Sequence, residues 1–589
     1  MPAITSSSRL RKTPRTQPLN PGTGGMVTRT PVLIVGGGPV GLALAGDLGW
    51  RGQSCLLVDQ SDGIVVQPKM VLVGVRTMEF CRRWGIAREV ENCGYPPDYS
   101  QDYVYVTSLR GYELAREHFP TRAKEACPAQ SPQKRERCPQ HIFNPLLQRW
   151  AGTYPGVSIR NKVELTGLEE SEHEVRAQVR NLQTGQSETI VARYVVGCDG
   201  AASTVRRHLG IGMSGKPLLN YTTHVLFRSR EFAKLHNKGD AYRFIFVGPE
   251  GTWLTITSVN GDDLWRMQMI GTQEKKTATG DEIHAALFRA AGCEFACQIV
   301  DVMPWARREL VADSYGTNRV FLAGDAAHLT SPTGAFGMNT GVQDAVDLGW
   351  KLDAVLNGWG GAGLLPSYEN ERRPVALRNV TEATVNLERM LSTRERKPPP
   401  DLLEAGAQAE TSRRAYGEWY AQKMRPEWHT LGINLGYRYD DSPIIWPDGT
   451  QPPPDEVSTY VQTARPGARA PHVWLDAERS TLDLWGRGLV LLRLGAKPPA
   501  CDTLLDAAAH RGVPLHVETL KGQHLIDAYQ ARLALVRPDG HIAWRGDSLS
   551  PDPGALLDRV RGAQQINAAR AATDASCHSP ADNQNQDIK

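Results

Sequence analysis

The chain has 589 residues, more than one hydrophobic core usually organises, so its length indicates roughly two or three domains. Its 67 lysines and arginines nearly balance its 64 aspartates and glutamates, which gives no indication of a nucleic-acid partner. The sequence has no signal-peptide core and no run of about eighteen apolar residues, so we expect a cytoplasmic protein without membrane contacts.

Both ends of the chain are predicted to be disordered. Residues 1–29 contain no acidic residue, and Pro14, Pro18 and Pro21 would interrupt an amphipathic targeting helix. The last residues are polar and show no hydrophobic periodicity. We therefore predict a disordered extension over residues 1–29 and a disordered tail over residues 567–589.

The ten cysteines are scattered along the chain. They include no Cys-x-x-Cys pair, and no His/Cys cluster has the spacing of a zinc site. This pattern favours reduced thiols in a reducing compartment and predicts no metal site.

A glycine-rich turn follows the first apolar segment. Residues 32–35 form a short apolar run, the glycines follow it, and an apolar stripe at helical spacing comes next. Gly36 permits a tight turn, Gly38 lets the backbone approach a pyrophosphate at the helix N-terminus, and Gly41 lets helix and strand pack closely. A second apolar run ends in Asp59, whose carboxylate is placed to accept hydrogen bonds from ribose hydroxyls. The segment predicts a βαβ unit that binds either NAD or FAD.

A second glycine-containing segment lies far along the chain. Residues 320–323 predict a short buried strand that ends in Gly324 and Asp325, and a loop rich in glycine and proline follows. A carboxylate at the C-terminal end of a strand suits a sugar-like polyol. The next segment predicts a long helix, because apolar residues recur at helical spacing at Val342, Ala345, Leu348, Leu352 and Val355.

Together, the two segments resemble the FAD-dependent aromatic hydroxylases. These are single-component monooxygenases with the p-hydroxybenzoate hydroxylase fold, and the chain is most similar to their phenol hydroxylase and 2-hydroxybiphenyl 3-monooxygenase branch. The resemblance implies FAD as the cofactor, with Asp325 holding the ribityl chain and residues 332–339 beside the isoalloxazine ring. Backbone N–H groups of that loop, at a helix N-terminus, would favour negative charge on the reduced ring.

Further segments extend the resemblance. Asp199 and Gly200 resemble the Asp-Gly motif that the family associates with FAD and the reduced pyridine nucleotide, and Gln140 stands at a position that contacts the flavin. Lys69 stands where these enzymes usually have arginine. The positive charge is kept, but the paired N–H donors of a guanidinium group are lost. The residues predicted to bind FAD are Gly36, Gly38, Pro39, Val40, Gly41, Asp59, Gln60, Lys69, Gln140, Asp199, Gly324, Asp325, Pro332, Gly334, Gly337, Met338 and Asn339.

The resemblance implies an α/β fold. It contains an FAD-binding Rossmann-like domain, an inserted β-sheet substrate domain and a C-terminal thioredoxin-like domain without redox cysteines. We predict the FAD-binding domain over 30–395 with the substrate sheet interleaved at roughly 210–305, a helical and irregular connector over 396–459, and the thioredoxin-like domain over 460–566.

Periodicity predicts strands and helices in the two smaller domains. Alternating apolar and polar residues predict substrate-sheet strands at 242–247, 253–257 and 264–270. In the C-terminal region, the pattern predicts a strand at 489–494, a helix at 503–510, a strand at 514–517 and a hairpin at 533–544.

The resemblance also implies a reaction. NADPH or NADH would pass hydride to FAD, O2 would form a flavin C4a-hydroperoxide, and its terminal oxygen would be transferred to a ring carbon of a small phenolic substrate. A homodimer is compatible with this interpretation. The alternative function is an FAD-dependent oxidoreductase of the same fold without oxygen insertion.

The sequence leaves the catalytic base open. Val71 stands where some phenol-specific relatives have histidine or aspartate. One hypothesis takes the base from the substrate sheet, with His224 and Tyr242 as candidates and Arg243 as a phenolate partner, while Pro332 helps to shape the pocket. The other hypothesis is a substrate acidic enough to bind already ionised, for instance a substituted catechol or nitrophenol.

Overall fold

The computed structural model describes residues 27–271, 273–275 and 278–564. Most of the predicted N-terminal extension and all of the predicted C-terminal tail lie outside these ranges. Residues 27–29, which we placed in the extension, belong to the first strand, because Val27 and Thr28 pair with Thr189 and Ile190 of a neighbouring strand.

The described residues form strands in all three parts of the chain. In chain order, the strands are β1 Val27–Val35, β2 Cys55–Asp59, β3 Leu72–Val73, β4 Tyr103–Val106, β5 Glu113–Glu117, β6 Glu136–Arg137, β7 Val157–Asn161, β8 Val163–Glu170, β9 Val175–Asn181, β10 Ser187–Gly197, β11 Met213–Arg228, β12 Arg243–Gly248, β13 Gly251–Ser258, β14 Leu264–Ile270, β15 Gln298–Ala312, β16 Val320–Leu322, β17 His328–Leu329, β18 Leu489–Leu494, β19 Leu515–Leu520, β20 Leu533–Val536 and β21 Ile542–Gly546.

Helices connect and cover these strands. The α-helices are α1 Pro39–Arg51, α2 Val75–Arg83, α3 Ala87–Glu91, α4 Gln140–Ala151, α5 Thr204–His208, α6 Gly280–Ala291, α7 Phe336–Leu356, α8 Ser367–Leu391, α9 Ala407–Trp428, α10 Leu431–Leu435, α11 Asp502–His510, α12 Gln523–Tyr529 and α13 Pro553–Val560. In the part of the chain that the structure describes, none of them is both long and apolar enough to cross a membrane.

The first sheet is Rossmann-like. Strands β7, β2, β1, β10 and β16 run parallel in that order, and β9 and β8 extend the sheet with antiparallel pairs. Val32, Leu33 and Ile34 of β1 are fully buried, as expected for a parallel strand that is covered on both faces. The two motif segments predicted from sequence therefore lie in one sheet, with β1 and β16 both paired to β10.

The second sheet forms a roof above the Rossmann-like domain. Its eight strands follow the order β17, β15, β11, β14, β13, β12, β4 and β5. One face packs on α6 through apolar residues such as Phe244, Ile256 and Met267. Alternation places Arg243, Arg266 and other polar side chains on the opposite face.

The roof sheet is larger than predicted. The predicted range of 210–305 contains β11 to β14 and part of β15, but β15 continues to Ala312 and β17 adds an edge strand. On the other side, β4 pairs in parallel with β12, and β5 completes that edge. Strands this short pair only in the folded chain, so their own residues gave no indication of which sheet they join.

The C-terminal sheet has the order β19, β18, β20, β21, with one parallel and two antiparallel pairs. Helices α11, α12 and α13 alternate with these strands, as the thioredoxin-like prediction requires. The domain shares an apolar core with α7, because Trp350 packs in one cluster with Leu491, Leu535 and Trp544.

Candidate active site

Two adjoining cavities lie where the Rossmann-like sheet, the roof sheet and α7 meet. One has a volume of about 490 Å³ and the other about 250 Å³. Residues that line both are Gly38, Lys69, Gln140, Cys198 and Gly200. The cavities are therefore continuous, and an extended ligand can occupy both. The cavity of about 490 Å³ is the outer cavity, and the cavity of about 250 Å³ is the inner cavity.

The glycine turn forms one wall of the outer cavity. Gly36 has a φ of 113°, and a Cβ there would lie 2.3 Å from the carbonyl oxygen of Cys198. A Cβ on Gly41 would lie 2.0 Å from the Gly36 carbonyl oxygen. Gly38, by contrast, faces open space. Gly36 and Gly41 thus permit close backbone packing, whereas Gly38 leaves room for a ligand at the N-terminus of α1.

Asp59 and Gln60 line the outer cavity at the end of β2. The Asp59 carboxylate accepts hydrogen bonds from the backbone N–H groups of Gly37 and Ser61, the latter at 2.6 Å. These bonds hold the carboxylate at the mouth of the glycine turn. A carboxylate in this position can accept hydrogen bonds from the hydroxyls of a ribose.

Several buried polar atoms of the outer cavity lack a protein partner. They are both side-chain polar atoms of Gln67, Oδ1 of Asn144 and Oδ1 of Asp199. The second oxygen of Asp199 accepts hydrogen bonds from the backbone N–H groups of Thr204 and Val205, at 2.6 and 3.0 Å. Because unpaired buried polar atoms are costly, this cavity fits a polar ligand such as the nucleotide half of FAD.

The loop between β16 and α7 forms one wall of the inner cavity. Asp325 and Pro332 line it, as do Gly334, Gly337 and Met338. Gly334 has a φ of 85°, and a Cβ on Gly337 would meet only atoms at 3.9 Å or more, so the backbone is open to a flat ligand. Pro39 and Val40 of α1 line the same cavity.

Gly41, Gly324 and Asn339 do not line either cavity. The Asn339 amide oxygen accepts hydrogen bonds from Gly74 N–H and Thr77 Oγ1 at 2.8 and 2.7 Å, and its NH2 group donates to the Ala335 carbonyl at 2.9 Å. Its side chain therefore joins the start of α7 to α2 and supports the loop from behind.

Lys69 and Gln140 lie at the junction of the two cavities. The backbone N–H of Lys69 donates to Gln140 Oε1 at 2.9 Å. The ammonium group of Lys69 lies 5.5 Å from the centre of the Trp305 ring, within the range of a cation–π interaction. Gln140 thus fixes the Lys69 backbone while the ammonium group remains at the exposed rim.

The predicted substrate contacts Tyr242 and Arg243 both line the inner cavity. The Arg137 guanidinium carbon lies 3.5 Å from the centre of the Tyr242 ring. Burial raises the pKa of the Tyr242 phenol, but Arg137 and Arg243 outweigh burial and lower it below its ordinary value. The Arg243 Nε donates to Thr257 Oγ1 at 3.0 Å, which holds the guanidinium on the polar face of the roof.

His224 lies behind the cavity wall. Its Nε2 is 3.3 Å from Gln268 Nε2, and its ring is stacked on Trp305 with 5.4 Å between ring centres. Gln268 and Trp305 line the inner cavity, but His224 does not. Burial, together with Arg266 and neighbouring arginines, holds the pKa of His224 well below its ordinary range, so the imidazole is neutral.

The sequence reasoning missed several residues of the inner cavity. Arg137, Arg266 and Glu427 all line it. Arg266 interrupts an otherwise apolar alternation in β14, which was a usable signal. Glu427 lies near the end of α9, in the segment that we assigned to a connector, and no local pattern singled it out.

The inner cavity is strongly basic. Its lining includes Lys69, Arg135, Arg137, Arg243 and Arg266, but its acidic residues are only Asp325 and Glu427. Burial lowers the pKa of Arg266 to about 10, and its Nε has no hydrogen-bond partner. The residues that the structure describes contain no cluster of His, Cys, Asp and Glu suited to a metal ion. The donor set therefore fits an organic cofactor and an aromatic or anionic ligand.

Two family models match the chain. Residues 29–383 match an FAD-binding domain, and residues 463–563 match the C-terminal domain of aromatic-ring hydroxylases. The FAD-dependent monooxygenase apdD from Emericella nidulans is 30% identical, with 92% of this chain and 90% of the relative aligned. The 4-methyl-5-nitrocatechol 5-monooxygenase of a Burkholderia species is 32% identical, with 90% and 97% aligned.

A solved structure has the same fold over nearly the whole chain. The rebeccamycin biosynthetic enzyme RebC, solved with reduced flavin, superposes with a TM-score of 0.84 at 38% identity, covering 91% of this chain and all of the other. The predicted α/β fold and the predicted FAD cofactor are thereby confirmed. The chain belongs to the family of FAD-dependent aromatic-ring hydroxylases and is a flavin monooxygenase.

Proposed function

We propose that this protein hydroxylates a ring carbon ortho or para to a hydroxyl group of a phenolic substrate, with NADPH or NADH as the reductant. The observation that carries the proposal is the pair of joined cavities, one lined by nucleotide-binding motifs and the other by a basic and aromatic roof. The Burkholderia relative acts on a nitrocatechol according to its name, which supports a phenolic substrate class.

The outer cavity would hold the nucleotide half of FAD. In this arrangement, the N-terminus of α1 at Gly38 would bind the pyrophosphate, and Asp59 would bind the ribose. The unpaired atoms of Gln67, Asn144 and Asp199 would gain hydrogen-bond partners. Their burial cost is removed when the ligand binds, so FAD should also stabilise the fold.

The inner cavity would hold the flavin ring and the substrate. Asp325, which lines this cavity, would bind the ribityl chain, and the loop of residues 332–339 would lie against the ring. Bound FAD supplies hydride acceptance and oxygen activation. The protein's own part is to hold the substrate ring between this loop and the roof sheet, with Tyr242 and Arg243 in contact, and to exclude water.

The test is a screen of phenols, catechols and hydroxylated polycyclic compounds with the purified yellow protein. We expect NADPH or NADH oxidation to accelerate with one class of ligand and labelled O2 to yield a product carrying one labelled oxygen atom. Stimulated oxidation of the nucleotide without labelled product from any ligand would favour the oxidoreductase without oxygen insertion. A homodimer remains a prediction that light scattering of the same preparation checks.

A further inference from the structure

Glu427 is the one acidic side chain that the connector segment contributes to the inner cavity, within the described residues. Its side chain is only 2% exposed. Oε1 accepts a hydrogen bond from the backbone N–H of Gly334 at 3.3 Å, whereas Oε2 has no partner. A buried carboxylate oxygen without a partner, in a cavity wall, is in a position to exchange a proton with a ligand.

Three arginines surround this carboxylate from different elements. Arg243 of β12 has its Nη1 3.7 Å from Glu427 Oε1, and Arg307 of β15 and Arg389 of α8 act from further away. The phenols of Tyr105 and Tyr420 also interact with Glu427, and burial raises the pKa of both, so they stay neutral. Nε and Nη1 of Arg307 are buried without a hydrogen-bond partner.

Opposing effects set the proton affinity of Glu427. Burial raises the pKa of its carboxyl group, and Arg243, Arg307 and the Gly334 N–H lower it. The resulting pKa is about 7. A general base is most effective when its pKa lies near the working pH. His224 is neutral but lies behind the cavity wall, and Val71 lines the cavity without a titratable group.

We propose that Glu427 is the catalytic base that takes the proton from the ring hydroxyl of the substrate, and that Arg243 receives the resulting phenolate. The proposal rests on the phenolic substrate class of the proposed function. The O–H bond of the substrate breaks, its electron pair stays on the phenolate oxygen, and the proton bonds to Oε2 of Glu427. No oxidant or reductant takes part in this step.

The charges of the site favour this transfer. Before it, the negative charge lies on Glu427, and afterwards it lies on the phenolate, with the same arginines around both. The total charge in the cavity does not change, so the transfer avoids the cost of creating a new buried charge. The ionised ring is more electron-rich and reacts faster with an electrophilic oxygen donor.

The test compares two catechols that differ in acidity, in the holoenzyme and in E427Q. With 4-methylcatechol, whose hydroxyl stays protonated at neutral pH, we expect E427Q to lose about 10²-fold or more in hydroxylation rate. The wild-type rate should rise with pH through a single ionisation near 7, and this ionisation should be absent in E427Q. With 4-methyl-5-nitrocatechol, whose nitro group acidifies the hydroxyl, the E427Q rate should stay within about threefold of wild type.

Two controls separate a catalytic from a structural role. E418Q removes an exposed carboxylate from the same helix and should leave the pH profile unchanged. E427D keeps an ionisable group and should keep the ionisation even where E427Q fails to fold. Equal losses on both catechols, no loss on either, or a wild-type profile without the ionisation would each overturn the proposal. If the wild type hydroxylates no phenol at all, the proposed function fails instead.

Discussion

The three glycines of the first motif have different environments, which their spacing in the sequence did not reveal. A Cβ on Gly36 or Gly41 would collide with backbone carbonyl groups, whereas one on Gly38 would enter the ligand space. The φ of Gly36 also lies in the region that favours glycine, while Gly38 has an ordinary φ of −70°. Gly36 and Gly41 therefore serve the fold, and Gly38 serves the ligand.

This difference predicts that two alanine substitutions affect different properties, one the stability of the fold and the other the affinity for FAD. Gly36→Ala should destabilise the protein by at least about 2 kcal/mol, because the clash with Cys198 is with backbone and the φ is unfavourable. Gly38→Ala should leave the melting temperature of the FAD-free protein unchanged but weaken FAD binding about tenfold or more. Melting curves and FAD titrations measure both effects. Normal FAD affinity in Gly38→Ala would show that the pyrophosphate lies elsewhere.

His224 provides a second prediction. Its pKa lies well below its ordinary range because of burial and the nearby arginines, so the imidazole does not titrate during an activity assay. We expect His224→Asn to lower the hydroxylation rate less than about tenfold and to leave the pH dependence unchanged. The measurement is the rate between about pH 6 and 9. Loss of an ionisation in this variant would restore His224 as the base.

The start of α7 shows how one side chain orders a whole element. The helix begins after Ala335, a residue with a φ of 59°, so the preceding loop needs support from outside the helix. Asn339 gives that support by accepting hydrogen bonds from Gly74 and Thr77 on the α2 side. The loop of residues 332–339 is therefore held against the segment that follows Lys69 and Val71.

Asn339→Ala should loosen this loop. The Gly74 N–H and the Thr77 hydroxyl are buried, and each would lose its acceptor at a cost of about 1–3 kcal/mol. We expect a lower melting temperature and weaker FAD binding, measured by thermal denaturation and by flavin release. Thr77→Val is the matched control, since it removes only one of these bonds and should have the smaller effect. Equal effects of the two variants would contradict this role for Asn339.

The sequence predicted the elements whose signals are local. The glycine turn, the strand before Asp325 and the apolar stripe of α7 are each contained in a short segment, and all were confirmed. Glu427 could not be found in this way, because its electrostatic environment is set by Arg243 and Arg307, which lie on strands more than a hundred residues earlier. The position of His224 behind the cavity wall was missed for the same reason, since alternation identifies a face of a strand but not which side chain reaches the cavity.

Buried ion pairs join the C-terminal domain to the FAD-binding domain. Arg469 donates from Nε to Glu79 Oε2 at 3.0 Å, and Arg76 donates from Nη1 to the same oxygen at 2.7 Å. Arg76 also donates to the carbonyl oxygen of Asp539 at 2.9 Å. Glu79 lies on α2, so this network links the helix behind the loop of residues 332–339 to the thioredoxin-like domain. The C-terminal domain therefore has a structural role that needs no redox cysteine.

Glu79 makes the stability of this junction depend on pH. Burial raises the pKa of its carboxyl group, but Arg469 and Arg76 outweigh burial and lower it from 4.5 to about 2. Because the folded-state pKa is the lower one, the stabilisation is complete above about 4.5 and is lost as the pH falls towards about 2. Glu79→Gln should thus destabilise the protein by about 3 kcal/mol at neutral pH, because two buried arginines lose their partner.

Urea unfolding of the wild type and the variant at two pH values measures this effect. The difference in unfolding free energy should be largest at neutral pH and should shrink at about pH 3.5, where wild-type Glu79 has begun to lose its advantage. Glu478→Gln removes an exposed carboxylate from the C-terminal domain and should show no difference at either pH. A Glu79→Gln penalty that stays constant with pH would mean that the loss comes from packing and not from the charge that joins the two domains.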